Sequence, residues 1–407
     1  MKRREFFIGS SAIVGVGAMS SMSQLLGAPE TGAAPFDAAN VKPASAPVVT
    51  NMSAEGFTVL WGVSGPATGW VEYGETPEMG KRSVGERGLM PYDSYVIKAR
   101  IEGLKPGTKY YYRVHTRGVN FVNAYKILPA EPILSEVGAV TTLNPKGATA
   151  DFIVWNDTHE VKAVLTRLAE LTRAQSADFL LWNGDQTNYM LDEREMVEQF
   201  LNPAGQTYAR DLPLMYVRGN HDVRGVAARS LPRFTDTPDD LYYYSFRQGP
   251  LAALVMDTGE DKPDDHPVYG GLNDFSGFRK QQQAWLEQEI QKPHIKSAPY
   301  KVLFCHIPMC WKRPEEKGAY CVEGHDLWHD LLVKAGVQLV ISGHTHDATW
   351  MPAEGKRPYG QLIGGGPKLE GATIIRGKAD AKELRVQMTD LTGKELALVQ
   401  IKPHKRG

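Results

Sequence analysis

The chain from residue 146 to residue 407 alternates between short apolar runs and stretches whose apolar residues recur at helical spacing. Continuous apolar runs are typical of strands buried on both faces of a sheet, and the helical spacing is typical of amphipathic helices. This alternation predicts an α/β domain over residues 146–407. The strand-like runs are DFIVW (151–155), DFLLWN (178–183), LPLMYV (212–217), YKVLF (300–304) and VQLVIS (337–342). The helix-like stretches include VKAVLTRLAELTRAQ (161–175), FRKQQQAWLEQEIQ (278–291) and HDLWHDLLVKAG (325–336).

Residues 47–145 show a different pattern, in which short alternating runs are separated by turn residues. GFTVLWGV (56–63) alternates in the manner of a half-buried strand, and LKPG (104–107) separates two further strand-like runs. This spacing predicts a small antiparallel β-sandwich. Residues 29–46 are rich in Ala, Pro and Gly without periodicity, which predicts a linker before the sandwich.

The first 28 residues have the layout of an export signal. MKRREFF supplies a basic start with two adjacent arginines, and a weakly apolar stretch rich in Gly, Ser and Ala follows. This arrangement predicts a twin-arginine signal peptide at residues 1–28, and with it a periplasmic or extracellular location. A transmembrane anchor is not expected, because spanning a bilayer takes about 20 predominantly apolar residues.

Charge and cysteine content narrow the classes of partner and scaffold. The 407 residues carry a formal net charge of −1, so neither nucleic acid nor an anionic membrane is expected as a partner. The three cysteines are too few for a disulfide-built scaffold. The spacing of Cys310 and Cys321 would allow a disulfide bond between them, and the sequence does not decide whether it forms. Cys305 lies inside an apolar run.

Potential metal ligands follow five of the strand-like runs in the predicted α/β domain. In open α/β sheets the ligand site lies at the carboxyl ends of the strands, so these residues are expected to meet. Carboxylate, imidazole and amide ligands without thiolate suit Fe, Mn or Zn ions. The candidates are Asp157 and His159, Asp185, Asn220 with His221 and Asp222, His306, and finally His344 and His346.

The order Asp-x-His, Gly-Asp, Gly-Asn-His-Asp, His, Gly-His-x-His resembles the calcineurin-like metallophosphoesterase superfamily over residues 150–350. The sandwich resembles the fibronectin type III-like domain that precedes the catalytic domain of purple acid phosphatases. The resemblance implies a two-sheet α/β sandwich preceded by a small all-β sandwich, with two metal ions in the site. It places Asp157, His159 and His346 on one ion, Asn220, His306 and His344 on the other, and Asp185 between them.

The same resemblance implies an exported phosphoesterase that acts on a phosphorylated small molecule or another exposed phosphoester. Two ions roughly 3.5–4 Å apart lower the pKa of bound water, so that a metal-bound hydroxide attacks phosphorus. His221 would assist the leaving group, and Asp222 would orient His221. The alternatives are a phosphodiesterase or nucleotidase instead of a monoesterase, and a non-catalytic cell-surface binding protein.

One departure from the purple acid phosphatases concerns the ligand that gives those enzymes their colour. Their ferric-iron tyrosine lies three residues after the bridging aspartate, where this chain has Asn188, with Tyr189 one place later. His159 replaces a glycine of their first motif. The purple colour is therefore not expected, and Tyr189 remains open as a shifted ligand.

Several further residues have candidate roles beside ordinary structural ones. Arg224 is a candidate phosphate ligand, and Asp257 a candidate supporting residue at the end of a strand. His266 and His325 lie in polar inserts, and GQLIGGGPKLEG (360–371) is interpreted as a tight loop near the metals. The insert after His306 also offers Trp311, Lys312 and Arg313 as candidates for contacting the leaving group.

Overall fold

We describe the fold from a computed structural model in which residues 36–404 are described. The predicted signal peptide (1–28) and the first part of the predicted linker (29–35) lie outside the described residues. The α-helices of residues 36–404 are α1 (Lys162–Arg173), α2 (Glu193–Met196), α3 (Leu231–Phe234), α4 (Phe275–Glu289), α5 (Pro293–Lys296) and α6 (Val322–Ala335).

The strands of the described residues fall into an N-terminal and a C-terminal series. The first ten are β1 (Val48–Thr50), β2 (Gly56–Gly62), β3 (Ala67–Gly74), β4 (Lys81–Arg82), β5 (Tyr92–Asp93), β6 (Val96–Glu102), β7 (Lys109–Asn123), β8 (Lys126–Pro129), β9 (Ile133–Leu134) and β10 (Gly138–Thr141). The others are β11 (Ala150–Trp155), β12 (Phe179–Asn183), β13 (Leu214–Val217), β14 (Tyr244–Gln248), β15 (Leu251–Val255), β16 (Tyr300–Phe304), β17 (Leu339–Ser342), β18 (Thr349–Met351), β19 (Gly360–Ile363), β20 (Thr373–Ala379), β21 (Leu384–Asp390) and β22 (Glu395–Ile401).

Two mixed sheets build the α/β part. The first runs in the order β22-β21-β20-β11-β12-β13 and continues into β1, β2 and β6. The second runs β14-β15-β16-β17-β19-β18. Strands β11, β12 and β13 are parallel to one another, and so are β15, β16, β17 and β19. Parallel strands point their carboxyl ends to one edge, so the loops after them share that edge.

The two sheets pack face to face and are covered by helices on their outer faces. Phe152 points inward, where its ring centroid lies 5.6 Å from that of Phe179 and 5.7 Å from that of Phe304 of the other sheet. The next residue, Ile153, points outward and packs with Leu165 of α1. On the other side, residues of β15, β16 and β17 pack with α4 and α6 in a third apolar cluster. The predicted two-sheet α/β sandwich is therefore confirmed.

The N-terminal strands form an antiparallel sandwich whose first sheet is continuous with the α/β part. β1 pairs with β13 through Thr50 and Leu214, which joins β1, β2 and β6 to the nine-stranded sheet. The facing sheet contains β10, β7, β3 and β4. The described part of the predicted linker packs on this sandwich, because Val41 is buried and Pro43 bridges to Val63. The division into domains at residue 145 stays a prediction.

Other expectations from the sequence meet mixed outcomes. GQLI (360–363) forms strand β19, so the interpretation of residues 360–371 as a loop is wrong for its first part. The three cysteines are all buried and free, without a bridge between Cys310 and Cys321. Among the described residues, no helix has the length and apolar character needed to cross a membrane.

Replacing Phe152 with alanine is expected to lower the free energy of unfolding by about 3–5 kcal/mol, because the ring fills the space between the two sheets. Denaturant unfolding followed by tryptophan fluorescence measures this change. Tyr125→Ala is the control, since that side chain is fully exposed, and it is expected to stay within about 0.5 kcal/mol of wild type. An equal loss in both variants would contradict this packing.

Candidate metal centre

The carboxyl ends of five parallel strands meet at one edge of the two packed sheets. Sheet pairing fixes this arrangement, because β11, β12 and β13 run parallel in one sheet while β16 and β17 run parallel in the other. Each of these strands is followed by a short loop that carries one or more of the predicted ligands. The structure thereby brings together Asp157, His159, Asp185, Asn220, His306, His344 and His346.

Most of these residues have a left-handed backbone, which is unusual for residues other than glycine. The φ angles lie between 43° and 70°, so the chain turns sharply after β11, β12 and β17. Asp and His tolerate this region better than branched residues do, yet each such residue costs of order 1–3 kcal/mol. The residues concerned are Asp157, His159, Asp185, His344 and His346.

The first cluster of donor atoms comprises Asp157, His159 and His346, whose ligand atoms lie within 4.8 Å of one another. Nε2 of His346 is 3.3 Å from Oδ1 of Asp157 and 3.1 Å from Nε2 of His159. Two imidazole nitrogens and a carboxylate oxygen therefore point at one position. His346 remains partly exposed, which leaves this side of the cleft open to solvent.

The second cluster comprises Asp185, His306 and His344, again with ligand atoms within 4.8 Å of one another. Nε2 of His306 is 3.1 Å from Oδ2 of Asp185. The Oδ1 atom of Asn220 lies 2.9 Å from Nδ1 of His344, so the amide belongs to the same cluster. His306 is fully buried, and its Nδ1 lies 2.9 Å from the carbonyl oxygen of Asn183, which fixes the ring.

Asp185 lies between the two clusters. The same oxygen, Oδ2, is 3.1 Å from Nε2 of His306 and 3.5 Å from Nε2 of His159. The other oxygen accepts a hydrogen bond of 2.9 Å from the backbone N–H of His221. A carboxylate in this position can bind metal ions on both sides of it.

The charges of the site match those expected of a cation site. Burial raises the pKa of Asp185, but the surrounding imidazoles, His306 foremost, hold it well below its usual range. Burial opposes protonation of His306 as well, yet Asp185 and Asp157 raise the pKa of His306 to about 10. The two buried carboxylates thus demand positive charge between them.

Two of the imidazole donors, His344 and His159, also favour the state that metal ions require. Burial, followed by the proximity of His306, lowers the pKa of His344 to about 4, and burial lowers the pKa of His159 too. Neutral imidazole is the form that binds a metal ion. Nε2 of His306 is buried without a well-formed hydrogen bond, although it lies close to Asp185. The residues present therefore fit a pair of metal ions.

Comparison with known proteins identifies the family of the domain that carries these ligands. Residues 150–348 match the family model of the calcineurin-like phosphoesterases, and every candidate ligand lies within that range. This part of the chain belongs to the calcineurin-like phosphoesterase family. The prediction from the motifs is confirmed.

Individual relatives support the same assignment at low sequence identity. Purple acid phosphatase 21 of Arabidopsis thaliana is 25% identical over 331 residues, which cover 75% of this chain and 67% of that protein. Serine/threonine-protein phosphatase CPPED1 of Pongo abelii is 26% identical over 146 residues, which cover 35% of this chain and 44% of that protein. The chain therefore spans two thirds of the first relative and under half of the second.

A solved structure shares the fold of most of this chain. The purple acid phosphatase PPD1 from yellow lupin (Lupinus luteus) seeds superposes with a TM-score of 0.64 at 13% identity, covering 88% of this chain and 74% of that one. At this identity the likeness concerns the fold alone. It includes the N-terminal sandwich as well as the phosphoesterase sheets, because so much of the chain is covered.

His221 lies beside the two clusters of the phosphoesterase site. Its ring is near enough to His159 and Asp185 for the three to form a third group of potential ligands. However, Nδ1 lies 2.9 Å from the carbonyl oxygen of Asn188, and Nε2 lies 3.0 Å from Nη1 of Arg224. A guanidinium cation this close to the ring agrees with a residue that does not bind metal.

The predicted contact between Asp222 and the ring of His221 is absent from the described structure, and this expectation needs correction. Asp222 is fully buried, and burial raises its pKa to about 7. Its carboxylate accepts hydrogen bonds from the backbone N–H groups of three neighbouring loop residues and from a tyrosine hydroxyl, namely those of Gln186, Thr187, Gly219 and Tyr216. Asp222 therefore braces the loops that carry Asp185 and Asn220.

The remaining candidates have structural partners. Tyr189 is 55% exposed, and its role as a shifted ligand stays a prediction. Asp257 binds Arg218 and the backbone N–H of Gly259, so it stabilises its own loop. His266 caps a short helical turn, and His325 stacks on His329 of the same helix. In the insert, Arg313 pairs with Glu316, Lys312 is exposed, and Trp311 packs near Tyr320.

Two residues that sequence reasoning missed hold the ligands in place. Oδ1 of Asn188 lies 3.2 Å from Nδ1 of His159, and the backbone carbonyl of Asn188 contacts His221. Asn156 donates from Nδ2 to Oδ2 of Asp157 and to the carbonyl oxygen of Gly365. Asn156 directly precedes Asp157 in the sequence, so its adjacency was the available signal.

Replacing Gly343 with alanine is expected to reduce metal binding. A Cβ at that position would lie 2.1 Å from Oδ2 of Asp157, so the carboxylate must move away from its ligand position. Metal analysis by mass spectrometry is expected to find fewer ions per chain than in wild type, with the folded circular dichroism spectrum retained. Gly318→Ala is the control, because no atom lies within 4 Å of its added Cβ. Full metal content in Gly343→Ala would contradict the assigned role of Asp157.

Proposed function

We propose that the chain is an exported hydrolase of phosphate esters that works with two metal ions. The observation that carries this proposal is the position of Asp185, which lies between two clusters of donor atoms in a phosphoesterase-family domain. Asp157, His159 and His346 would hold one ion, and Asn220, His306 and His344 the other. Fe, Mn and Zn all suit this set of imidazole, carboxylate and amide ligands.

When bound, a pair of ions supplies an activated water for attack on phosphorus and neutralises charge on the phosphoryl oxygens. The chain's own residues provide the geometry for that chemistry. Asn220 and His221 follow β13, and Asp185 accepts a hydrogen bond from the backbone N–H of His221. This bond ties the loop that carries His221 to the residue shared by both clusters.

His221 is the residue that we assign to the leaving group. It lies next to His159, with ring centroids 4.8 Å apart, and it is only partly buried, so a bound ester can reach it. An imidazole can donate either a hydrogen bond or a proton to a departing alcohol oxygen. The contact with the Asn188 carbonyl keeps the ring in this orientation.

Replacing His221 with alanine is expected to lower kcat for phosphate esters about 10²- to 10⁴-fold, because assistance by a positioned acid or base contributes that much. Two metal ions per chain should be retained, since His221 belongs to neither of the two proposed ligand sets. His404→Ala is the control, because His404 binds the carbonyl of Gly336 at the opposite ends of the strands. Unchanged kcat in His221→Ala would exclude the assigned role.

The class of ester is tested with p-nitrophenyl phosphate, bis-p-nitrophenyl phosphate and a nucleoside monophosphate. Hydrolysis of the monoester alone identifies a phosphatase, and preference for the diester or the nucleotide identifies a phosphodiesterase or a nucleotidase. Absence of hydrolysis by the protein loaded with two ions would overturn the proposal in favour of a binding protein.

Export is the part of the proposal that rests on sequence alone. Arg3 and Arg4 precede a weakly apolar stretch within residues 1–28. Replacing both arginines with lysine is expected to leave the precursor in the cytoplasm, whereas the wild-type chain appears shortened in the periplasm or medium. Immunoblots of cell fractions measure the difference. Equal export of the two chains would contradict a twin-arginine route.

A further inference from the structure

A guanidinium group lies beside the cleft and has no part in the proposed metal centre. Nη1 of Arg224 is 3.0 Å from Nε2 of His221. Arg224 follows the Gly-Asn-His-Asp motif by two residues, and 27% of its side chain is exposed. Its position next to the proposed leaving-group residue raises the question of what it binds during the reaction.

Buried carboxylate groups hold Arg224 in place. Glu260, of which only 1% of the side chain is exposed, accepts hydrogen bonds of 2.9 Å from Nε and 2.7 Å from Nη2 of Arg224. Asp261 accepts a further bond of 3.2 Å from Nη2. Such two-pronged contacts between arginine and carboxylate fix both the distance and the plane of the guanidinium.

The loop that carries Glu260 is itself braced from the helical layer. Arg279 of α4 donates from Nη2 to the carbonyl oxygens of Thr258 and Glu260, at 2.7 and 2.8 Å. Arg279 is buried and also pairs with Glu323 of α6. Since Glu260 cannot shift easily, Arg224 presents its remaining amino group in a constant direction.

The remaining amino group, Nη1 of Arg224, contacts the imidazole of His221. A neutral imidazole is a weaker partner for a guanidinium than an anionic oxygen is. The carbonyl oxygen of Asn188 only accepts, so Nδ1 of His221 carries the proton of the neutral ring. Nη1 of Arg224 lies 3.0 Å from Nε2 and 3.5 Å from Nδ1, so it lies over the face of the ring and not along the lone pair of Nε2. Hydrogen bonds between ionised partners are roughly twice as strong as those with a neutral acceptor. An anionic oxygen entering the cleft would therefore replace the imidazole as the partner of Nη1.

We propose that Arg224 binds the substrate directly, with Nη1 donating to a non-bridging oxygen of the phosphoryl group next to His221. Glu260 acts through Arg224 as a positioning residue, and Asp261 assists it. This inference rests on the proposed phosphoesterase function and adds a ligand for the phosphoryl group that does not depend on the metal ligands.

The test compares Arg224→Met with Arg233→Met in the metal-loaded protein. Arg233 is a matched control, because it is also partly buried and pairs with two carboxylates, Asp93 and Glu193, each at 2.6 Å. Calorimetry measures the dissociation constant of inorganic phosphate, and metal analysis confirms two ions per chain. Arg224→Met is expected to weaken phosphate binding about 10- to 100-fold, because a hydrogen bond between charged groups is lost. Arg233→Met should bind phosphate as wild type does.

Kinetics provide the second readout. Arg224→Met should lower kcat/KM by a similar factor for p-nitrophenyl phosphate and for phenyl phosphate, because the contact is to a non-bridging oxygen. Glu260→Gln should cause a smaller loss with both substrates, since Arg224 remains but is less firmly held. Arg224→Lys should recover only part of the loss, because lysine lacks the fork that pairs with Glu260.

Three results would overturn the inference. The first is unchanged phosphate binding in Arg224→Met, and the second is an equal loss in Arg233→Met. The third is a loss that is explained by missing metal ions. Failure of the proposed function looks different, because wild type would then bind phosphate but hydrolyse no ester, while the effect of Arg224→Met on phosphate binding would still be measurable.

Discussion

Two carboxylates that are withdrawn from water dominate this structure. Asp157 and Asp185 are almost completely buried, and they share one cleft with four imidazoles. Burying a charge is costly unless an opposite charge accompanies it, so the cleft demands cations. The raised pKa of His306 partly meets that demand. A pair of bound metal ions would meet it fully and leave the imidazoles neutral, as ligands must be.

The fold is arranged to tolerate this concentration of charge at a single edge. Ligands follow strands of two different sheets, whose apolar faces pack around Phe152 and Phe304 and hold the edges together. Sharp left-handed turns at Asp157 and Asp185 direct the side chains back towards the cleft. Gly184, with a φ of 81°, lets the ring of His306 approach the backbone, since a Cβ there would lie 2.4 Å from that ring. Such local strain is typical of functional sites and persists because the surrounding packing stabilises it.

The sequence was sufficient for the parts of the structure that depend on local order. Buried strands were recognisable from apolar runs, and the ligands follow them directly, so the edge where they meet was predictable from topology. The two-sheet fold and the ligand motifs were accessible for the same reason. Strand β19 was missed because its Gly-Gln-Leu-Ile sequence is short and is followed by three glycines.

Contacts between distant segments were not predictable. Asp222 follows His221 directly, yet its carboxylate turns to the backbone of the loop after β12. Glu260 lies 36 residues after Arg224, and no local pattern indicates their pairing. The joining of β1 to β13 extends a catalytic sheet into the sandwich through a single pair of residues, Thr50 and Leu214. Each of these depends on tertiary packing, which overrides what neighbouring residues suggest.

The arrangement of two ions around one shared carboxylate can be measured directly by anomalous X-ray diffraction from crystals of the metal-loaded protein. Two anomalous peaks should appear on opposite sides of Asp185, one next to His159 and His346 and the other next to His306 and His344. A single peak, or peaks away from Asp185, would contradict the view that this carboxylate joins two metal positions.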